Sequence, residues 1–388
     1  MKKIATEILN TLLKVLVKKP CPLHEPFFDR SEIDYLKKNI KKKSVSTYGK
    51  ETGDFERKLK EFTKAKYVHA IINGTSALHL SLYIAGVDDN TEVLIPGLNY
   101  IASTNATIYL KGTPHFIDIE EKTLGPDFEK LDLYLKKNTF VKNNKCVNKK
   151  TKKIIKILVV THVFGHPCQI EKAIKICKKY KIDLIEDAAE GLGSFYNQKH
   201  VGNFGLMGIL SFNGNKIITT GAGGAILTNS KKISEKIKHI SLNSRKTLNW
   251  NYEYSELGFN YKMPSLNASL GIAQIKKLKN FIKLKRKLYK KYYLNFKNFN
   301  YLKLFKEPKN CKSNYWLNTI ILNKPNKKLV KLIVEKTNSI GIGTRPVWKI
   351  LSKNKYLNSY PSMKLEKCLD LEKRLINLPS SPGLIKLK

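Results

Sequence analysis

From residue 31 onward, short apolar runs alternate with stretches whose apolar residues recur at helical spacing. Tyr67–Ile72 is a compact apolar run; the turn Asn73-Gly74-Thr75-Ser76 leads into a helix that begins with Ala77 and Leu78. Glu92–Pro96 repeats the pattern, with Ile101–Leu110 as its helix and Thr113–Asp118 as the next strand. Residues 127–150 predict a helix and then a loop rich in Lys and Asn. Ile154–Phe164 is almost continuously apolar, as a strand buried on both faces must be. Ile170–Tyr180 predicts a helix, and residues 182–190 a strand ending in the acids Glu186, Asp187 and Glu190. Strand and helix alternate throughout, which predicts an α/β fold around a mostly parallel sheet.

The flanks differ. Ile4, Ile8, Leu12, Leu13, Val15 and Leu16 predict an amphipathic first helix. Ser31 is a candidate N-cap, Ser44–Gly49 a turn-rich interruption, and Phe55, Leu59 and Phe62 one face of a further helix. After Ser265 the composition shifts. Residues 266–281 predict a helix and 283–299 a solvated, basic continuation of it. A strand at 316–322, a helix at 329–339 and a turn at 341–346 follow. These patterns divide the chain into a large domain, 1–265, and a smaller C-terminal α+β domain, 266–388, with no internal repeat.

In open α/β sheets ligands gather at the carboxyl ends of strands. The turn at Gly74, Tyr100, His162, Asp187 and Lys216 all fall at such ends. Lys216 lies in Ser211-Phe-Asn213-Gly-Asn-Lys216-Ile-Ile-Thr-Thr-Gly, between apolar runs that read as two buried strands joined by a glycine-rich turn. A lysine so placed loses water, which favours the neutral, nucleophilic amine and makes it a candidate Schiff-base former. The competing reading is a strand-end lysine that snorkels to solvent. The N–H groups of Gly74, Thr75 and Ser76 open a helix and would cradle a phosphate. The competing reading there is an ordinary capped helix. The P-loop pattern is absent. A phosphate cradle, a strand-end carboxylate at Asp187 and a desolvated lysine together meet the needs of pyridoxal phosphate (PLP). Tyr100 would stack on one face of its ring, and the small Ala189 would admit the other.

Charge raises a rival class. The 388 residues are 42% hydrophobic and 27% charged, with a formal net charge of +41. Such a chain could bind nucleic acid or anionic surfaces. Its cations are nearly all lysine, however, and Arg30, Arg57, Arg245, Arg286, Arg345 and Arg374 are its only arginines. The fork-shaped donor favoured for reading bases and phosphates is therefore scarce. Together with abundant Asn and Ile, this reads as coding bias rather than a nucleic-acid function. The six cysteines lack C-x-x-C spacing and predict free thiols; His162 and His166, four positions apart, span a strand end and predict no metal site. No stretch reaches the roughly eighteen apolar residues of a membrane span. The expectation is a soluble, cytoplasmic protein without membrane or nucleic-acid partners.

The motifs carrying this chemistry resemble the DegT/DnrJ/EryC1/StrS family of sugar aminotransferases over nearly the whole chain, from about Pro22 to Pro382. They are Asn73-Gly-Thr-Ser-Ala-Leu78, Glu186-Asp-Ala-Ala-Glu190-Gly-Leu-Gly-Ser194, the Ser211–Gly221 stretch and Leu257-Gly-Phe-Asn260-Tyr-Lys-Met-Pro264. Thr161–Pro167, Gly343–Trp348 and Asn377–Ser381 resemble its LegC-like branch, which makes legionaminic acid and bacillosamine precursors. The resemblance implies a fold-type I PLP-dependent transferase with a seven-stranded, mostly parallel sheet. It implies that Lys216 carries the cofactor, that Asp187 holds the pyridine nitrogen and that Glu190 stands beside the ring hydroxyl. It implies phosphate or cofactor contacts from Gly74, Thr75, Ser76, Ser211 and Asn213, and from Asn260 of a second subunit in a homodimer with shared sites. His162, Lys262 and Arg345 become candidate substrate contacts. Lys262 stands where Arg is usual in the family, and Ala222 where Glu or Gly is common. The implied reaction moves an amino group from L-glutamate to a nucleotide-linked 4-keto-6-deoxy sugar, UDP-linked and 2-acetamido. Dehydratases of the same fold replace the lysine with histidine, so Lys216 favours transamination.

Overall fold

The computed structural model describes residues 1–16, 20–248 and 250–385. Seven strands form the main path of a nine-stranded central sheet: β1 (Tyr67–Ile71), β2 (Thr91–Pro96), β3 (Thr113–Ile117), β4 (Ile154–Thr161), β5 (Asp183–Asp187), β6 (Met207–Ser211) and β7 (Gly224–Thr228). Their order is β1-β7-β6-β5-β4-β2-β3. Neighbours run parallel, apart from β7, which is antiparallel to β1 and to β6. Strands β2 and β3 are buried at every position, which explains why their sequences do not alternate; their buried polar residues Glu92 and His115 pair with each other at 2.7 Å.

The Lys- and Asn-rich stretch expected to be a loop is instead a hairpin, Thr139–Lys142 paired with Lys145–Asn148, which extends the sheet beside β4. Its turn residues Asn143 and Asn144 both have left-handed backbones, the conformation that two-residue hairpin turns require and Asn tolerates. Helix α1 spans Lys2–Val15, α2 Arg30–Lys41 and α3 Glu51–Thr63. The cap of α2 is not Ser31 but Asp29, in a reciprocal capping box with Glu32. Helix α4, Gly74–Ile84, follows β1 as expected.

The stretch 265–299 departs most from expectation. One 32-residue helix, which we number α5, spans Ser265–Phe296. Its first half packs Ala268, Ile272 and Leu278 with Phe55, Leu59 and Phe212 beside the central sheet. Its second half is solvated on one side only: Lys287, Lys290 and Lys291 are exposed, whereas Leu284, Leu288, Tyr292 and Phe296 share a second core with Ile320 and Ile333. Their spacing of four, hidden among lysines, is the apolar stripe of a buried face. The second core also takes Ile8 and Leu12 of α1, so the first helix packs with the C-terminal part of the chain. An antiparallel sheet of residues 302–304, 318–322, 375–378 and 345–346 lies there. No helix among the described residues is long and apolar enough to cross a membrane.

Candidate active site

Strands β4, β5 and β6 end at Thr161, Asp187 and Ser211, and all three residues border one cavity of about 820 Å³. Lys216 enters it from the β6–β7 loop. That loop folds back on itself through Lys216 N–H to the Asn213 carbonyl at 2.9 Å and Phe212 N–H to the Gly223 carbonyl at 2.8 Å. Ile217 and Ile218 are buried anchors of the loop rather than part of a strand. The Lys216 side chain is only 13% exposed. Its Nζ lies 3.4 Å from Glu190 Oε1 and 4.0 Å above the centre of the Trp316 ring. The indole is fixed in turn, donating from Nε1 to the Asn215 carbonyl at 2.8 Å.

Two buried carboxylates face this amine. Asp187 Oδ2 accepts from Ser103 Oγ at 3.2 Å, and its Oδ1 from Ala189 N–H at 3.1 Å. Glu190 Oε2 accepts from Phe164 N–H at 2.8 Å. Burial pushes both carboxyl groups above the ordinary range, against the pull of Lys216. A cation brought beside Asp187 would reverse that shift.

The opposite end of the cavity is built for an anion. Asn73 caps α4, its Oδ1 accepting from Ser76 N–H at 2.7 Å. That bond uses the Ser76 donor and leaves the N–H groups of Gly74 and Thr75, at a helix N-terminus, for a ligand. Close packing forms the cradle: a Cβ on Gly74 would come within 3.0 Å of Ser211 Cβ, and one on Gly224 within 2.7 Å of the Asn73 carbonyl group.

Gly74, Thr75, Tyr100, Asp187, Ala189, Glu190, Ser211, Asn213, Lys216 and Arg345 are thus brought together around one cavity. Ser76, His162, Asn260 and Lys262 are not among its lining residues. Ser76 turns its side chain toward the Tyr261 hydroxyl. His162, expected at the substrate, is fully buried instead: Nε2 meets Glu186 Oε2 at 3.1 Å and Nδ1 accepts from Cys168 N–H at 3.3 Å. Glu186 also accepts from the N–H groups of Gly202, Phe204 and Gly205, so the pair braces the loop after β5. Asn260 is exposed and pairs through its backbone with Leu242. Trp316, Asn377 and His24 line the cavity although the sequence reading did not select them. They come from the C-terminal sheet region and the segment before α2, whose convergence on Lys216 no local pattern announces. No disulfide joins any of the six cysteines, and no group of three or more His, Cys, Asp or Glu among the described residues is arranged to hold a metal.

The residue set fits PLP. Lys216 would offer the amine for covalent attachment, Asp187 a buried carboxylate for a protonated ring nitrogen, and the α4 N-terminus a seat for the phosphate; Ala189 would leave room beside the ring. The cofactor supplies an electron sink for carbanion chemistry.

An α/β sheet with a lysine, a carboxylate and an anion cradle at its strand ends defines a PLP-dependent transferase. Residues 27–386 match the DegT/DnrJ/EryC1/StrS aminotransferase family, and the chain belongs to it. It is 32% identical over 366 residues to the GDP-perosamine synthase of Escherichia coli O157:H7, covering 94% of each chain. It is also 32% identical over 296 residues to the UDP-4-amino-4,6-dideoxy-N-acetyl-beta-L-altrosamine transaminase of Campylobacter jejuni, covering 76% of this chain and 74% of that one. Among solved structures, Helicobacter pylori PseC, an aminotransferase of pseudoaminic acid biosynthesis, superposes with a TM-score of 0.81 at 25% identity, covering 92% and 93% of the two chains. The protein is a PLP-dependent sugar aminotransferase.

Proposed function

We propose that the protein transfers an amino group from L-glutamate to C4 of a UDP-linked 2-acetamido-4-keto-6-deoxyhexose, for a legionaminic acid or bacillosamine type of surface sugar. The observation that carries this is the single cavity in which the Lys216 amine, the buried Asp187 and the α4 N-terminus converge. Within it, Lys216 moves protons at the substrate carbon, Asp187 holds the ring nitrogen proton, and Gly74, Thr75 and Ser211 bind the phosphate. Arg345 borders the same cavity as a cation for the sugar's diphosphate. The Campylobacter transaminase supports the UDP sugar, whereas the perosamine synthase, matched over more of the chain, supports a GDP sugar as the second reading. In this account the enzyme works in the cytoplasm as a homodimer, and the exposed Asn260 completes its partner's phosphate site.

The test is incubation of the PLP-loaded protein with glutamate and a panel of UDP- and GDP-linked 4-keto-6-deoxy sugars, read by product mass. The mass of a 4-amino product from the UDP-linked 2-acetamido sugar is expected. Amination of the GDP sugars alone would select the second reading, and dehydration without amine transfer would overturn both.

A further inference from the structure

His24 lies in the segment between α1 and α2, and that segment is clamped on both sides of it. Cys21 N–H donates to the Gly341 carbonyl at 2.8 Å and Gly343 N–H to the Cys21 carbonyl at 2.7 Å. Beyond His24, Ser380 N–H donates to the Leu23 carbonyl and Glu25 N–H to Ser381 Oγ, each at 2.8 Å. The ring is thereby held against the cavity that contains Lys216. Its centre is 6.3 Å from that of Trp316, above which Lys216 Nζ sits at 4.0 Å. The centre of the His24 ring is therefore no more than about 10 Å from the amine.

Both ring nitrogens of His24 are buried and have no hydrogen-bond partner among the described residues. Leaving such groups unpaired costs about 1–3 kcal/mol each, and the ring torsion of histidine is broad. A ring turn toward the cavity would give a nitrogen a ligand partner. His166 is also unpaired, but it packs between Phe305 and Tyr315 and does not line the cavity. Burial, then Lys285, then Lys216 disfavour the imidazolium at His24. The neutral ring offers one donor and one acceptor. A hydroxyl, itself both donor and acceptor, matches that pair. The carboxylates of an amino donor only accept, and Arg345 supplies a cation for them in the same cavity.

We propose that His24 is a specificity-determining residue that hydrogen-bonds a hydroxyl of the hexose, setting affinity for the sugar nucleotide and not for glutamate. This rests on the nucleotide-sugar reading above. The experiment measures the two half-reactions separately by the cofactor's absorbance, using whichever UDP- or GDP-linked 4-keto-6-deoxyhexose the wild type aminates. His24→Phe keeps an aromatic ring and removes both polar groups. It should raise KM for the keto sugar about tenfold, as loss of one or two hydrogen bonds would, and leave KM for glutamate within about twofold. His24→Asn or His24→Gln, which restore a donor and an acceptor, should recover part of the loss. By calorimetry, His24→Phe should weaken the sugar nucleotide and leave the free nucleoside diphosphate unchanged. If the Phe variant does not fold, His24→Leu repeats the test. An unchanged sugar KM, or parallel rises for sugar and glutamate, would overturn the assignment. If the wild type aminates none of the keto sugars, the functional reading falls and this inference with it.

Discussion

Gly224→Ala tests whether the anion cradle depends on the packing of α4 against β7. Gly224 has no left-handed backbone, so alanine meets no conformational barrier there and the effect is steric. An added Cβ would lie 2.7 Å from both C and O of Asn73 and 2.8 Å from Gly74 N, where ordinary contact begins at 3.4 Å. The N-terminus of α4 must therefore retreat by about 0.7 Å, and the atoms that move are backbone. Forcing a methyl group into a packed interior costs about 1–3 kcal/mol. If that cost falls on the cradle, PLP affinity drops by roughly 5- to 150-fold. If it falls on folding, Tm drops instead. Both are measured, by PLP titration of the apoprotein and by thermal melts with and without PLP. Gly214→Ala is the control: it lies in the lysine loop, and a Cβ there would meet nothing within 4 Å. It should behave as wild type. A Gly224→Ala protein with wild-type PLP affinity and wild-type Tm would refute the reasoning.

Three further outcomes follow from the geometry. Asp187→Asn should weaken PLP binding by about 1.5–3 kcal/mol through loss of a charge-assisted bond, and should reduce turnover further because an amide cannot hold the ring nitrogen protonated; titration and single-turnover rates check both. Glu56, which accepts from Ala70 N–H at 2.8 Å, is raised by burial from 4.5 to about 7. The folded state therefore binds this proton more tightly than the unfolded one, a stabilisation present below pH 4.5 and lost as pH rises toward 7. Glu56→Gln should leave Tm unchanged at pH 4.5 and raise stability at pH 8 by up to about 3 kcal/mol; equal melts at both pH values would contradict it. Mixing Lys216→Ala with Asn260→Asp should restore part of the activity once subunits exchange, because one site of the hybrid carries neither defect; a mixture shown by mass to exchange yet still inactive would place Asn260 in its own chain's site.

The parts of the fold legible in sequence were those that follow local rules. The strand ends at Asp187 and Ser211 and the capped turn at Asn73 each announce themselves within a few residues, and the structure brings them together. The cavity wall was not legible in the same way. Trp316, Asn377 and His24 line the cavity that holds Lys216 from three distant segments, and only tertiary packing shows it. His162, expected at the substrate, pairs with Glu186 and is not among the cavity-lining residues, and a strand-end histidine has the same sequence whether it faces a ligand or a buried carboxylate. The second half of α5 was misread because lysines between Leu284, Leu288, Tyr292 and Phe296 mask an apolar stripe. The alkyl stems of lysine cover apolar surface while their ammonium groups stay wet, so a basic helix can still be a core helix.

The central claim is that Lys216 is the cofactor lysine, and a single labelling measurement tests it. Lys285 is the rival, since it is fully buried, its burial holds the amine well below the usual lysine range, and its Nζ donates to the Trp316 carbonyl at 3.0 Å and to the Ser380 carbonyl. Lys285 is tied to carbonyls beneath the cavity and is not among its lining residues, whereas Lys216 faces it. The PLP-loaded protein is reduced with borohydride, digested, and its peptides are read by mass. The account predicts the pyridoxyl label on Lys216. A label on Lys285, or on any other lysine, would contradict it.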